Sequence, residues 1–148
     1  MSRKTPCSGS MTIALCAVVM MSGCHVESSI APADVRLART PASKEPITYG
    51  FAPLRGTVTV ERECLSLEST DRGTVVLVYP HDHRMGTVDG RLSVLNANGE
   101  SVLTDGRPVE IGGALLDAEP AARTVSAEDR ALCEGPFFLV LPQPARYL

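Results

Sequence analysis

The stretch that decides the fold of this chain is Thr74-Val75-Val76-Leu77-Val78-Tyr79. Valine, threonine and tyrosine are enriched in strands. A short apolar run without polar interruption is typical of a strand that is buried on both faces. Pro80 follows and removes the backbone donor that a continuing strand needs. We therefore predict a central strand over residues 74–79.

A hairpin is predicted on the N-terminal side of this strand. Between Leu54 and Val60, valines alternate with threonines, which indicates a half-buried strand. The charged run Glu61-Arg62-Glu63 interrupts the alternation, and Cys64-Leu65-Ser66-Leu67 resumes it in the opposite phase. Because neighbouring residues of a strand face opposite sides, a short turn produces such a change of phase.

On the C-terminal side of the central strand, the sequence contains several turn dipeptides, which favour short hairpins. We expect a loop over 81–85 and then a series of short strands. The dipeptides are Asp89-Gly90, Asn98-Gly99 and Asp105-Gly106, and the apolar segments between and after them are 92–95, 101–103 and 109–111, followed by Gly112-Gly113.

One short helix is predicted before a last strand. Ser126 with Asp129 resembles a capping box, and Glu134-Gly135-Pro136 ends the helical segment. Residues 137–141 then form a buried strand. The predicted fold is all-β: a small antiparallel barrel or sandwich over residues 47–148, with an OB-like barrel as one form.

The first residues are typical of an export signal. Arg3 and Lys4 precede an uncharged run over 11–21, which is too short for a membrane-spanning helix of about 20 residues. Met21-Ser22-Gly23-Cys24 follows and resembles the lipobox of bacterial lipoproteins, with Met21 where leucine is commonest. The resemblance implies cleavage before Cys24 and a diacylglyceryl group on its thiol, usually with a further acyl chain such as palmitate.

The predicted organisation is therefore a signal peptide (1–23), a lipidated N-terminus with a flexible tether (24–46) and the β-domain. In Gram-negative relatives, aspartate after the lipidated cysteine favours the inner membrane. Since His25 stands there, the resemblance implies an outer-membrane anchor with the domain in the periplasm. In a cell without an outer membrane, the domain would lie on the outer face.

The charge of the exported part excludes one class of function. The chain has 14 Lys and Arg and 17 Asp and Glu; Arg3 and Lys4 leave with the signal, so twelve basic residues face seventeen acidic ones. Nucleic-acid-binding proteins concentrate positive charge on one face. No such cluster exists here, and we expect no nucleic-acid partner.

The five cysteines divide by compartment. Cys7 and Cys16 leave with the signal and Cys24 takes lipid. Cys64 and Cys133 remain where disulfides persist. We predict that they pair, and that the bridge ties the second strand to the helix before the last one.

Two histidines suggest a metal site as an alternative. In an extended loop, His81 and His83 face the same side and could bind Cu or Zn, with His25 or Asp89 as a third ligand. A rival site would combine them with Cys64 and Cys133, but its spacing differs from that of structural zinc sites. No other cofactor is expected.

Two further hypotheses concern a catalytic centre and an aromatic surface. A serine hydrolase needs a base and an orienting acid within hydrogen-bond reach, but the chain has no Gly-x-Ser-x-Gly motif, and Gly112-Gly113 lacks the residues of a phosphate loop. Tight backbone packing explains these glycines better. The aromatic side chains of Tyr49, Phe51, Tyr79, Phe137 and Phe138 could form a stacking or peptide-binding surface, although burial of both phenylalanines is favoured.

The sequence thus favours a membrane-anchored envelope lipoprotein whose non-enzymatic β-domain binds a protein or cell-wall partner. Metal binding through His81 and His83 is the alternative, and an unrecognised hydrolase is the second alternative.

Overall fold

The computed structural model describes residues 31–42, 50–141 and 145–148. A 3₁₀ turn (Pro32–Asp34) comes first. The strands are β1 (Ala38–Arg39), β2 (Ala52–Glu61), β3 (Cys64–Ser69), β4 (Gly73–Tyr79), β5 (Arg84–Val88), β6 (Arg91–Leu95), β7 (Ser101–Thr104), β8 (Pro108–Leu116), β9 (Phe137–Val140) and β10 (Arg146–Tyr147), and the helices α1 (Ala118–Thr124) and α2 (Ala127–Leu132) precede β9.

Five strands close into a barrel. β4 pairs with β3, β3 with β2, β2 with β8, β8 with β9, and β9 returns to β4. The prediction of a small β-barrel with a short helix before the last strand is confirmed, and five is the strand number of the OB-like form. The closing pair, β4 with β9, is parallel, and the chain between them, from β5 to α2, provides the long connection that a parallel pair needs.

The central run 74–79 is apolar throughout because it contributes to two cores. Val75, Leu77 and Tyr79 lie in the inner core of the barrel. Val76 and Val78 face outward into a second core, to which Ala121 of α1 and the two cysteines also belong. Alternate residues of one strand face opposite sides, so both sides of β4 are buried.

Three of the aromatic side chains considered for a binding surface are buried in the two cores. Phe138 belongs to the inner core and Phe137 to the outer one, and both are buried. Tyr79 is also buried, whereas Phe51 is 63% exposed. Tyr49 lies outside the described residues. The favoured expectation, that both phenylalanines are covered, is confirmed.

Strands β5, β6 and β7 form a separate sheet. The predicted turn Asp89-Gly90 joins β5 to β6, and both residues have positive φ (51° and 75°), as a two-residue hairpin requires. The β2–β3 hairpin has the same form, with positive φ at Arg62 and Glu63. The change of phase predicted that turn although its residues are not the usual ones.

The N-terminal segment belongs to the domain, which corrects part of the predicted tether over 24–46. The pairing of β3 with β4 ends at Ser66 and Val76. Beyond that point, Arg36 bonds to the start of β3, and β1 pairs in parallel with the end of β4. The physical reason is burial: Val35, Leu37 and Ala38 are 6%, 8% and 0% exposed.

Two helices lie between β8 and β9, and the sequence predicted only the second of them. The Ser126 hydroxyl accepts the amide hydrogen of Asp129 at 3.0 Å, so the predicted cap of α2 is present. α1 was not predicted. Pro120 lies in its first turn, where a helix has no use for the N–H that proline lacks.

No helix among the described residues is long and apolar enough to cross a membrane.

Candidate binding cleft

An open cleft of about 790 Å³ lies where four parts of the chain meet. The N-terminal segment over 33–39 forms one side. Val60 and Glu63, around the β2–β3 turn, form a second side, and His83 to Met85 at the start of β5 form a third. Asp129 of α2 completes it. The cleft is therefore built from segments that are far apart in sequence.

The floor of the cleft is apolar. Val35 and Leu37 belong to the inner core, and the partly buried Val60 and Met85 pack against that core. The cleft therefore opens directly onto the top of the barrel's packed interior. A ligand that enters it contacts hydrocarbon surface below.

The walls of the cleft carry both signs of charge. The basic residues are Arg36, Arg39 and Arg84, and the acidic ones are Asp34, Glu63 and Asp129. Charged side chains thus make up half of the twelve residues that line the cleft.

Arg36 fixes the N-terminal segment to α2. Its Nη1 donates to Asp129 Oδ1 at 3.0 Å and to Glu128 Oε1 at 3.1 Å. The hydrogen bond to Asp129, followed by that to Glu128, raises the pKa of the Arg36 guanidinium. Within the described part of the chain, the guanidinium groups of Arg39 and Arg84 make no ion pair, so their charge is available to a ligand.

The two histidines of the predicted metal site have different surroundings. His83 is 4% exposed, packs against the ring of Tyr79 at a centroid distance of 5.4 Å, and shares a 2.8 Å hydrogen bond between its Nδ1 and Asp82 Oδ1. That bond lowers the pKa of Asp82, and burial raises the pKa of Tyr79. His81 is exposed.

A third metal ligand is not found in the described segments, which contain no group of three His, Cys, Asp or Glu suited to an ion. Asp89 lies at the far end of β5, and five residues of strand span about 17 Å, so it does not join His83. His25 lies outside the described residues. Metal binding by His81 and His83 stays a prediction.

Cys64 and Cys133 form a disulfide with a Cα–Cα distance of 5.8 Å. Both are buried, at the start of β3 and at the end of α2. The rival zinc site with these two cysteines is therefore wrong, because their sulfur atoms are bonded to each other and cannot act as thiolate ligands.

A second, smaller depression of about 350 Å³ brings His81, Ser126 and Asp129 together. These are the residue types of a serine hydrolase. However, the Ser126 hydroxyl caps α2, and the hydrogen bonds of the described residues include none between His81 and Ser126. No nucleophile–base pair is assembled there.

The comparisons with known proteins add no relative. No family model, no curated protein and no solved structure matches this chain. The functional interpretation therefore rests on the residues themselves.

Gly112 and Gly113 serve packing, as expected. A Cβ atom on Gly113 would lie 2.1 Å from the carbonyl oxygen of Leu139 and 2.5 Å from the ring of Phe138. A Cβ atom on Gly112 would lie 2.7 Å from the ring of Phe51. The two glycines allow neighbours to approach β8 closely.

Apart from His83, no residue of the cleft was predicted as a site residue, and those of the N-terminal segment fell within the predicted tether over 24–46. Arg36 and Asp129 are 93 positions apart and belong to no motif. The one available signal was the alternation of Val35 and Leu37 with charged residues over 34–39.

Proposed function

We propose that this chain is an envelope lipoprotein, anchored through lipid on Cys24, whose β-domain binds a protein or cell-wall partner in the cleft. The observation that carries the proposal is the cleft itself, where apolar residues lie beside Arg39 and Arg84, whose guanidinium groups make no ion pair with any described residue. The domain acts in this proposal as a binding module, without catalysis.

The disulfide supports a location outside the cytoplasm. Disulfides persist in oxidising compartments and are rare where thiols are kept reduced. Cys64 and Cys133 are 2% and 1% exposed, so the bridge belongs to the packed structure of the domain. This agrees with the export signal, which the sequence alone suggested.

The composition of the cleft supports a macromolecular partner. Interfaces between proteins combine apolar with polar residues, and the cleft is lined by Leu37, Val60 and Met85 together with charged side chains. Arg39 and Arg84 suit carboxylates, which accept two parallel hydrogen bonds from a guanidinium. Both proteins and the peptides of a cell wall present carboxylates.

Anchoring is tested with the full chain in a bacterial host. We expect the protein in the membrane fraction, with an N-terminal peptide that begins at Cys24 and carries lipid mass. Cys24→Ala should leave the chain unprocessed and without lipid, whereas Cys16→Ala should behave as the original. Unchanged processing and lipid content in Cys24→Ala would refute the anchor.

Partner binding is tested by photocrosslinking in cells. A photoreactive amino acid replaces Ala33 or Glu63 at the cleft, or Arg72 as the control. Arg72 lies in the β3–β4 turn, at the opposite end of β3 from Glu63, and six residues of strand span about 20 Å. We expect a defined adduct from the cleft positions alone. Equal adducts from Arg72, or none from either cleft position, would contradict the proposal.

A further inference from the structure

The outer edge of β5 makes no backbone hydrogen bond to any described residue. The two-residue turn makes Val88 and Arg91 a hydrogen-bonded pair, so Gly86 and Arg84 also bond to β6. The backbone N–H and C=O groups of Met85 and Thr87 then face away from β6. The position of Leu92 agrees with this pattern: it lies opposite Thr87, and its carbonyl faces β7, where it accepts the amide hydrogen of Asp105 at 3.0 Å.

No backbone partner occupies this edge within residues 31–42, 50–141 and 145–148. β5 pairs with β6 alone, and the remaining backbone hydrogen bonds include none to Met85 or Thr87. The 3₁₀ turn lies next to β5, with Cα atoms within 8 Å, but its own hydrogen bonds join Asp34 to Ala31 and Val35 to Pro32.

Outside the small sheet, the edge strands among the described residues are β1 and β10, which have only two residues each. The five barrel strands close on themselves and leave no edge. On the opposite side of the small sheet, Val102 of β7 accepts the amide hydrogen of Ala145 at 2.9 Å. The outer side of β7 therefore has a backbone partner, whereas the outer side of β5 has none among the described residues.

The middle of β5, from Met85 to Val88, carries no charge and no proline, which are among the features that protect edge strands. The register of β5 with β6 is regular over all five residues. Arg84 stands at one end and the turn residue Asp89 at the other, so the edge has a positive and a negative end.

We infer that β5 is a docking edge for an extended polypeptide segment of the partner, which adds to the sheet as a fourth strand. Two residues of the segment would pair with the free backbone groups of Met85 and Thr87. The segment is expected to place an acidic side chain near Arg84 and a basic one near Asp89. Alternate side chains of the docked segment would enter the cleft beside Met85. Such contacts give strand addition its specificity. This inference rests on the proposed partner-binding function and names the class of partner.

The test uses the chain from residue 25, which contains every described element. A phage-displayed library of random 12-residue peptides is selected against it, and the strongest binder is synthesised. We expect the peptide to slow hydrogen exchange at the amides of Met85 and Thr87, and to change the amide resonances of Ala33 and Asp34 in the adjacent turn.

Two variants distinguish the contribution of the backbone N–H of Thr87 from that of its side chain. Thr87→Pro removes an outward N–H without taking one from the β5–β6 pairing, a position where proline is tolerated. It should weaken peptide binding at least tenfold, whereas Thr87→Ala should change it less than twofold. The resonances of β6 and of the barrel report whether each variant is folded.

Two outcomes would overturn the inference. One is a library without binders, and the other is a binder whose exchange protection lies on another surface. Protection on another surface would contradict docking at β5 but not the proposed partner binding. Conversely, a Cys24 without lipid would contradict the anchor but not docking at β5. The two proposals therefore fail separately.

Discussion

Cys64 and Cys133 join the first residue of β3 to the residue that ends α2, across a sequence separation of 69. The bond thereby attaches the helical crossover to the hairpin β2–β3. It lies beneath the N-terminal segment, since Arg36 bonds to the backbone of Glu63 and Leu65 on either side of Cys64.

Replacement of both cysteines by serine should destabilise the domain strongly. Closure of a loop of this length stabilises a fold by about 4 kcal/mol in the chain-entropy estimate. Each kcal/mol corresponds to roughly 4–8 °C in Tm for a domain of 60–100 residues. Thermal unfolding of the double variant and of the reduced original protein should agree. A change in Tm of a degree or two would contradict a structural role for the bond.

Gly113→Ala should destabilise by about 2 kcal/mol or more, since its Cβ would meet the backbone oxygen of Leu139, which cannot move freely. Gly112→Ala should cost less, because the ring of Phe51 that it meets is 63% exposed and can rotate away. Gly50→Ala, with nothing within 4 Å, is the control. Urea unfolding of the three variants should give this order, and equal effects would disprove the packing explanation.

Leu37→Ala should lower the free energy of unfolding by about 2–3 kcal/mol, the lower part of the range for buried leucine. Leu37 lies in the inner core and is 8% exposed. Ala33→Ser, on the exposed side of the same segment, should change it by less than about 0.5 kcal/mol. If Leu37→Ala proved as neutral as Ala33→Ser, the segment would be a tether after all.

Asp82→Asn should show a pH-dependent difference from the original protein. The hydrogen bond from His83 lowers the pKa of Asp82 in the folded state. A lowered folded pKa adds stability above the usual pKa of about 3.9, and this stability is lost as the pH falls through the folded value. The difference between the two proteins should therefore shrink as the pH falls below about pH 4. Since Asp82 is largely exposed, solvent screening keeps it small; a difference that grows towards low pH would have the wrong sign.

Much of the fold could be predicted from local patterns. The phase change around Arg62, the Asp89-Gly90 dipeptide and the Ser126 cap each reflect a rule that acts within a few residues. The disulfide followed from the count of cysteines and their compartment.

The rest depends on contacts between distant residues. β1 is two residues long and carries too little alternation to be seen, because its stability comes from a gap between β3 and β4 that exists only in the folded barrel. The cleft has the same origin. Its charged wall joins Arg36 to Asp129, and nothing near either residue in the sequence indicates the other.

The short distance in sequence between Cys24 and the folded domain also bears on how far the domain could reach from a membrane. If Cys24 carries lipid, only residues 25–30 separate the anchor from Ala31, and a fully extended chain of this length spans at most about 25 Å. A 3₁₀ turn and one wall of the cleft begin immediately afterwards. The domain would then search a thin layer over the bilayer, in two dimensions, and would meet only partners that reach down to that layer.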